Sequence, residues 1–160
     1  MQVRPADPAE IDQLAQLWHD AWHHAHAHLA PPELVRLRTV ASFRDRLALM
    51  LADVCVVGPA GAPLGLCALK GDELYQLFVS PKAHGTGVAA ALIADAEERL
   101  AARGVQLAWL ACAIGNTRAE RFYEKSGWRK AGTFVMMSET SNGPFPVDQS
   151  RFEKRLAPMA

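Results

Sequence analysis

Two glycines separate an apolar strand from an alanine-rich helix, and their position suggests a site for an anionic ligand. The strand ends at Val79, and Gly85 and Gly87 precede a helical run over 88–100. Glycine adopts left-handed backbone angles and lets a ligand approach the main chain, while the first amides of a helix have no acceptor within it. A ligand that carries a pyrophosphate is therefore the first hypothesis. The alternative is that these glycines only form a strand-to-helix turn.

Histidines recur on the first predicted helix, which carries His19, His23, His24, His26 and His28. The first, second and fourth of them are spaced i, i+4, i+7, and the other two i, i+4, so each set shares one helix face. Such faces could contribute metal ligands. Asp20 is the carboxylate beside them, and no cysteine completes either set nearby. We therefore expect a solvated face, or one that lines the site of a substrate acceptor, and no metal site.

The three cysteines lie in apolar surroundings, at Cys55, Cys67 and Cys112, without metal-type spacing. An odd number of buried thiols suits a reducing compartment better than a disulfide framework. Cys112 has no base beside it in sequence, so we interpret it as a packing residue and not as an acyl-carrying nucleophile.

Composition limits the function classes. The chain of 160 residues is 50% hydrophobic, which predicts a single domain over 1–160 with its own core. Lysine plus arginine equals aspartate plus glutamate at 17 each, so no net field favours nucleic acid or an anionic membrane. No export signal or membrane-spanning run is recognisable, and we expect a soluble, cytoplasmic protein.

Periodicity and turn residues predict the elements that position these groups. Strands are expected at 2–4, 54–57, 64–69, 73–79, 105–112, 133–137 and 149–156. Helices are expected after Asp7, after the break at Pro31-Pro32, over 88–102 and over 117–126. The run 105–112 is almost wholly apolar, which predicts a strand buried on both faces. This order is that of a mixed α/β domain.

The glycine segment resembles a signature of the GNAT superfamily of N-acetyltransferases. The run from His84 to Ala89 is similar to the acetyl-CoA pattern Gln/Arg-x-x-Gly-x-Gly/Ala, with Gly87 and Ala89 matching. His84 stands where the family usually has Gln or Arg. The pattern thus agrees at its small residues and departs at its polar one.

A second block with the same family resemblance lies downstream. Residues 116–128 are similar to the pattern Asn-x-x-Ala-x-x-x-Tyr-x-x-x-Gly-Phe and match it at Asn116, Ala119, Tyr123 and Gly127. Trp128 replaces the phenylalanine. The two blocks occur in the family's order. Together with the elements around them, they extend the resemblance over most of the chain.

The resemblance implies a fold and a reaction. The fold is α/β, with a central, mostly antiparallel sheet of about seven strands, about four flanking helices and a splay between the fourth and fifth strands. The reaction is transfer of an acetyl group from acetyl-CoA to a primary amine of a small molecule or peptide, by direct attack in a ternary complex. The implied cofactor-binding residues are Leu77, Phe78, Val79, His84, Gly85, Thr86, Gly87, Val88, Ala89, Ala90, Asn116, Ala119 and Tyr123.

Attack by an amine on a thioester needs an acceptor for the amine proton and a donor for the leaving thiolate. By the resemblance, Tyr123 lies near the cofactor sulfur and is the candidate acid. Glu73 and Tyr75 share one face of the preceding strand, and Glu73 is the candidate base through water. The alternatives are a solvated Glu73, a helix-capping Asn116 and a packing role for Tyr123.

The family places the end of the first helix and the following loop beside the acceptor. Trp22, His26 and the loop at Pro31-Pro32 are therefore candidates for substrate binding, as is Tyr75. The acceptor itself stays open, and so does the choice between a monomer and a homodimer.

Two other functions compete with an acetyltransferase. One is an acyl-CoA-binding module or sensor without turnover, which the departure at His84 permits. The other is a nucleotide binder, but the acidic residue expected about 20 residues after a Rossmann-type loop has no counterpart on a strand end.

Overall fold

A computed structural model describes residues 1–157, and the last three residues of the predicted domain lie outside this range. Its strands are β1 (Val3–Pro5), β2 (Val54–Val57), β3 (Gly65–Lys70), β4 (Glu73–Val79), β5 (Leu107–Ala113), β6 (Arg129–Ser138) and β7 (Phe145–Arg155). Its α-helices are α1 (Ile11–His26), α2 (Pro32–Leu37), α3 (Val40–Met50), α4 (Val88–Ala102) and α5 (Thr117–Lys125). The expected mixed α/β architecture is confirmed, with one short helix, α2, more than the sequence predicted.

All seven strands form one sheet in the order β1-β2-β3-β4-β5-β7-β6. Neighbouring strands are antiparallel except β4 and β5, which run parallel. Over the described residues, β4 and β5 are in register at a single pair, Glu73 with Trp109. Beyond it the strands diverge, which confirms the splay between the fourth and fifth strands.

Helices pack on the two faces of the sheet and define two hydrophobic clusters. Helix α4 places Leu92 and Leu100 against Leu110 and Phe152 on one face. On the other face, α1 and α3 contribute Trp18, Phe43 and Leu47, which pack over Val56 and Leu66. The second cluster covers the β2–β4 half of the sheet and leaves the same face of β5 uncovered.

The prediction that β5 is buried on both faces is wrong. Ala108, Leu110 and Cys112 are buried, but the residues between them are half-buried, so only one face of the strand is covered. The cause is tertiary: α1 and α3 stop short of β5, and its apolar outer face borders a cavity instead of a helix.

Helix α2 follows from its prolines. Pro31 is the N-cap and Pro32 the first helical residue, a position where the missing amide costs no hydrogen bond. Thr39 then caps α3 by accepting the Ser42 amide at 3.1 Å, which divides the segment into two helices. Within residues 1–157 no helix has both the length and the apolar character needed to cross a membrane.

Candidate active site

Two cavities meet where β4 and β5 separate. One, of about 490 Å³, lies against the glycine segment and is called the glycine-loop cavity here. The other, of about 640 Å³, lies beneath Trp22 and is called the Trp22 cavity. Six residues line both: Leu29, Leu77, Phe78, Asn116, Ala119 and Tyr123. Two ligands, one bound in each cavity, would therefore contact each other beside these side chains.

The glycine-loop cavity has the backbone geometry of an anion site. Gly85 and Gly87 have φ of 77° and 91°, in the left-handed region that glycine adopts without strain. The first backbone hydrogen bond of α4 runs from the Ala91 amide to the Gly87 carbonyl at 3.0 Å. The amides of Val88, Ala89 and Ala90 have no acceptor within the helix, so they are free to bind phosphate oxygens.

Strand β4 supplies a second binding element. On its β3 side, Cys67 pairs with Leu77 and Leu66 pairs with Phe78. On its other edge, no strand in the described part of the chain pairs with β4 beyond Glu73. An extended ligand could pair with that edge as an added strand does. Leu77, Phe78 and Val79, three of the predicted cofactor-binding residues, all line the glycine-loop cavity.

The predicted cofactor-binding residues converge on this cavity with one exception. Thr86 does not line it, because its hydroxyl donates to the Ala83 carbonyl at 2.5 Å and stabilises the turn instead. His84 lines the cavity, with its ring 5.6 Å from that of His24. Burial lowers the pKa of His84, and the positive charge of Arg118 lowers it further. His84 is thus a neutral donor beside an arginine that the sequence analysis did not identify.

Asn116 and Tyr123 stand where the two cavities join. The Asn116 side-chain oxygen accepts the Ala119 amide at 3.2 Å and caps α5, which leaves its NH₂ group as a donor. The Tyr123 ring is 8% exposed and packs near Trp128 and Phe152. Burial raises the pKa of Tyr123, so its hydroxyl keeps its proton at neutral pH.

The predicted substrate-binding residues line the Trp22 cavity together. The rings of Trp22 and His26 lie 5.3 Å apart, and the Tyr75 hydroxyl accepts a hydrogen bond from Arg46 at 3.1 Å. Burial lowers the pKa of His26 to about 4, so its imidazole is neutral at pH 7. Of the other histidines, His24 and His28 line the glycine-loop cavity, but α1 ends at His26 and His28 lies beyond it, contrary to the prediction. His23 hydrogen-bonds the Arg38 carbonyl at 2.6 Å.

Glu73 is buried, which removes the alternative of a solvated residue. Its side chain is 6% exposed, and one carboxylate oxygen has no hydrogen-bond partner among residues 1–157. Burial raises its pKa to about 7, a value that suits a base at neutral pH. However, Glu73 lines neither cavity, so it could reach an amine only through water or another group.

Sequence reasoning missed the arginines of the Trp22 cavity. Arg38 follows α2 and Arg46 lies in α3, and both line the cavity. A signal was present for Arg46, since it lies three residues after Phe43 and four before Met50, on the apolar stripe of its helix. Arg38, next to a helix end, had no comparable signal.

Metal-ligand residues and the Cys112 thiol are the other groups that could carry chemistry near this site. Within residues 1–157 no three histidine, cysteine, aspartate or glutamate side chains are grouped as metal ligands would be. Cys112 borders the Trp22 cavity, but burial raises its pKa to about 12, so the reactive thiolate is not formed at neutral pH.

Comparison with known proteins identifies the class. Residues 11–128 match the acetyltransferase (GNAT) family, so the chain belongs to that family. It is therefore an acetyl-CoA-dependent N-acetyltransferase, which confirms the enzyme class and the co-substrate expected from the two sequence blocks.

One relative in sequence agrees with this assignment, and solved structures share the fold. An uncharacterized N-acetyltransferase of Mycobacterium tuberculosis is 36% identical over 120 residues, covering 66% of this chain and 77% of the relative. A GCN5-related N-acetyltransferase from Rhodopseudomonas palustris has a similar structure, with a TM-score of 0.77, 21% identity and coverage of 97% and 95% of the two chains. The PaiA N-acetyltransferase from Thermoplasma acidophilum, in complex with coenzyme A, gives a TM-score of 0.71 at 16% identity, with coverage of 96% and 98%.

Proposed function

We propose that this protein acetylates a primary amine of a small molecule or peptide by direct attack in a ternary complex. The observation that supports this proposal is the junction of the two cavities at Asn116 and Tyr123. A thioester in the glycine-loop cavity and an amine in the Trp22 cavity would meet there, which replaces a bimolecular encounter by a positioned one. No covalent acyl-enzyme is required.

On the donor side, the main chain does most of the binding. The amides of Val88, Ala89 and Ala90 hold the pyrophosphate, with Gly85 and Gly87 giving the loop its shape. The open edge of β4 aligns the pantetheine arm along Leu77 to Val79, and the Asn116 NH₂ group donates to it.

On the catalytic side, two side chains handle protons. As the amine attacks, the C–N bond forms, the C–S bond breaks and negative charge moves to sulfur. The Tyr123 hydroxyl donates to that sulfur, for which its retained proton suits it. Glu73 accepts the amine proton through intervening water, since its carboxyl is half-ionised near pH 7.

The test is release of free thiol from acetyl-CoA with a panel of amines, with the N-acetyl product identified by mass. Turnover with at least one amine, and no release without an amine, is the expected result. Tight binding of acetyl-CoA without release for any amine would instead favour a binding module.

The buried free cysteines suit a reducing compartment, which supports action in the cytoplasm.

A further inference from the structure

Two guanidinium groups in the wall of the Trp22 cavity form no ion pair with any residue of the described range 1–157. Arg38 is 3% exposed. Arg46 lies on α3, and its guanidinium stacks over Trp18 with Cζ 4.4 Å from the ring centre. The Nε atom of each is buried without a hydrogen-bond acceptor. Among residues 1–157, no carboxylate oxygen lies within 4.0 Å of either group.

Both arginines donate hydrogen bonds to neutral groups, and further N–H donors of each guanidinium remain unused. An Nη atom of Arg38 donates to the Glu139 carbonyl at 2.5 Å, and an Nη atom of Arg46 donates to the Tyr75 hydroxyl at 3.1 Å. A guanidinium group has five N–H donors, so most remain unused on each. The two groups are therefore oriented but not neutralised.

Such a pair is unfavourable in the free protein. A buried charge without a partner costs free energy, and two like charges near each other add to that cost. Burial lowers the pKa of Arg38 to about 10, and Arg46 contributes to this, yet Arg38 remains charged at neutral pH. The charge of Glu139, which does not line the cavity, partly opposes this lowering. With His26 neutral, the other charged side chain that lines the cavity within residues 1–157 is Asp148, which is exposed on β7. The wall is net positive.

We propose that the acetyl acceptor carries a carboxylate bound by Arg38 and Arg46, and is a free amino acid or a similar small amino acid. This inference rests on the proposed acetyltransferase function. The planar guanidinium fork matches a carboxylate with two parallel hydrogen bonds, and that carboxylate supplies the missing negative charge. A polyamine or an aminoglycoside would bring more positive charge to a wall that is already positive.

The first experiment compares matched acceptors on the wild-type protein. Thiol release is measured for the twenty L-amino acids, for their amides and for the amines formed by decarboxylation. At least one amino acid should exceed its own amide and amine in kcat/KM by about tenfold or more, because the amide lacks the negative charge and the second acceptor oxygen, and the amine lacks the acceptor group altogether. Phosphoethanolamine serves as the amine with a different oxyanion.

The second experiment uses variants of the wall. Arg46→Gln should reduce the preference for the acid over the amide by about tenfold, mainly through KM, and Arg38→Gln should do the same if it folds. Arg38→Lys should retain part of the preference, because it keeps the charge but loses the fork. Arg44→Gln is the matched control, since Arg44 lies two residues before Arg46, is exposed and pairs with Asp12 at 2.6 Å.

Thermal shift with unacetylated amino acids gives a readout that does not depend on turnover. The preferred amino acid should stabilise the wild type and the Arg44→Gln variant but not Arg46→Gln. Equal turnover of acids, amides and amines would overturn the carboxylate site while the acetyltransferase function stands. A clear preference for phosphoethanolamine would overturn it in favour of a phosphate site. Thermal stabilisation without turnover of any amine would retain the anion site and contradict the proposed function.

Discussion

Glu73 and Trp109 lie opposite each other at the one registered pair of β4 and β5 in the described chain. The Trp109 indole donates to the Asp72 carboxylate at 3.0 Å and its amide donates to the Asp72 carbonyl at 3.3 Å, so the two strands are fixed at this end. From there the sheet opens toward Asn116 and Tyr123. The pairing therefore defines a closed end that holds the candidate base and an open end that receives the acetyl donor.

Replacing Gly87 by valine should abolish CoA binding in a folded protein. The φ of 91° is unfavourable for a β-branched residue, and the added side chain would occupy the space needed by phosphate. The protein itself leaves room, since the nearest atom to a Cβ there is the Met1 methyl at 3.9 Å. Isothermal titration calorimetry with CoA measures the effect.

Gly104→Val is the control for this experiment. Gly104 follows the other end of α4, has a φ of 85° and would also receive a Cβ without contact. It should lower stability and leave CoA affinity unchanged. If Gly87→Val bound CoA as tightly as the wild type, the main-chain phosphate site would be wrong.

His84→Arg should tighten CoA binding by about two- to fivefold at low salt, because a permanent charge replaces a neutral imidazole at a solvent-accessible phosphate site. Arg118 is close enough to oppose the new charge in the free protein. The gain should shrink at high salt, as expected for screened charges. Equal affinities of wild type and variant at low salt would mean that this side chain does not face the phosphates.

The strands of the sheet's first half could be predicted from sequence because their signals are local. The predicted bounds of β2 and β4 match the structure, and β3 differs by one residue at each end. Each is an apolar run between turns that contain glycine or proline. The second half was predicted less well: β6 begins four residues before and ends one residue after 133–137, and β7 begins four residues before 149 and ends one residue before 156. The added start of β6 is exposed and pairs with β7 through the backbone, whereas Phe145 and Val147 at the start of β7 pack against the cluster under α1 and α3, a long-range contact.

The candidate site divides in the same way. The glycine loop and the block around Tyr123 are each one continuous stretch of sequence. Their residue types and spacing could therefore predict the residues on the acetyl-donor side of the site. The Trp22 cavity is assembled from α1, α2, α3, α5 and all four strands from β4 to β7, and its shape depends on how far the helices extend over the sheet. Arg38 could not be placed there from sequence, because its burial arises from a contact with Glu139, 101 residues away.

Tyr123→Phe should lower kcat by about ten- to a thousandfold while CoA affinity barely changes, because it removes only the hydroxyl proposed to donate to the leaving thiolate. Tyr75→Phe is the matched variant, since Tyr75 is the other tyrosine of the chain and lies in the Trp22 cavity. It should raise the KM for the acceptor and affect kcat less. Steady-state kinetics with a verified amine separates the two, and a Tyr123→Phe enzyme with full kcat would exclude the hydroxyl from the chemistry.

Glu73→Gln should lower kcat/KM most near neutral pH. With a pKa of about 7, Glu73 is ionised in an increasing fraction as pH rises, so the wild-type rate should rise through pH 7. The variant should lack this limb and recover partly at high pH, where more of the amine is already neutral. If the variant kept the wild-type pH profile, water alone would be the acceptor of the amine proton.

The same substitution should change the pH dependence of stability. Burial raises the folded-state pKa of Glu73 from 4.5 to about 7, so its contribution to stability is full below pH 4.5 and is lost as pH rises to 7. The melting temperature of Glu73→Gln relative to the wild type should therefore increase by about 6–11 °C between pH 4.5 and pH 7.5. Glu98→Gln, which removes an exposed carboxylate from α4, is the control and should show no such trend. Differential scanning fluorimetry across this range decides the matter, since a constant difference between Glu73→Gln and the wild type would mean that Glu73 titrates alike in the folded and unfolded states.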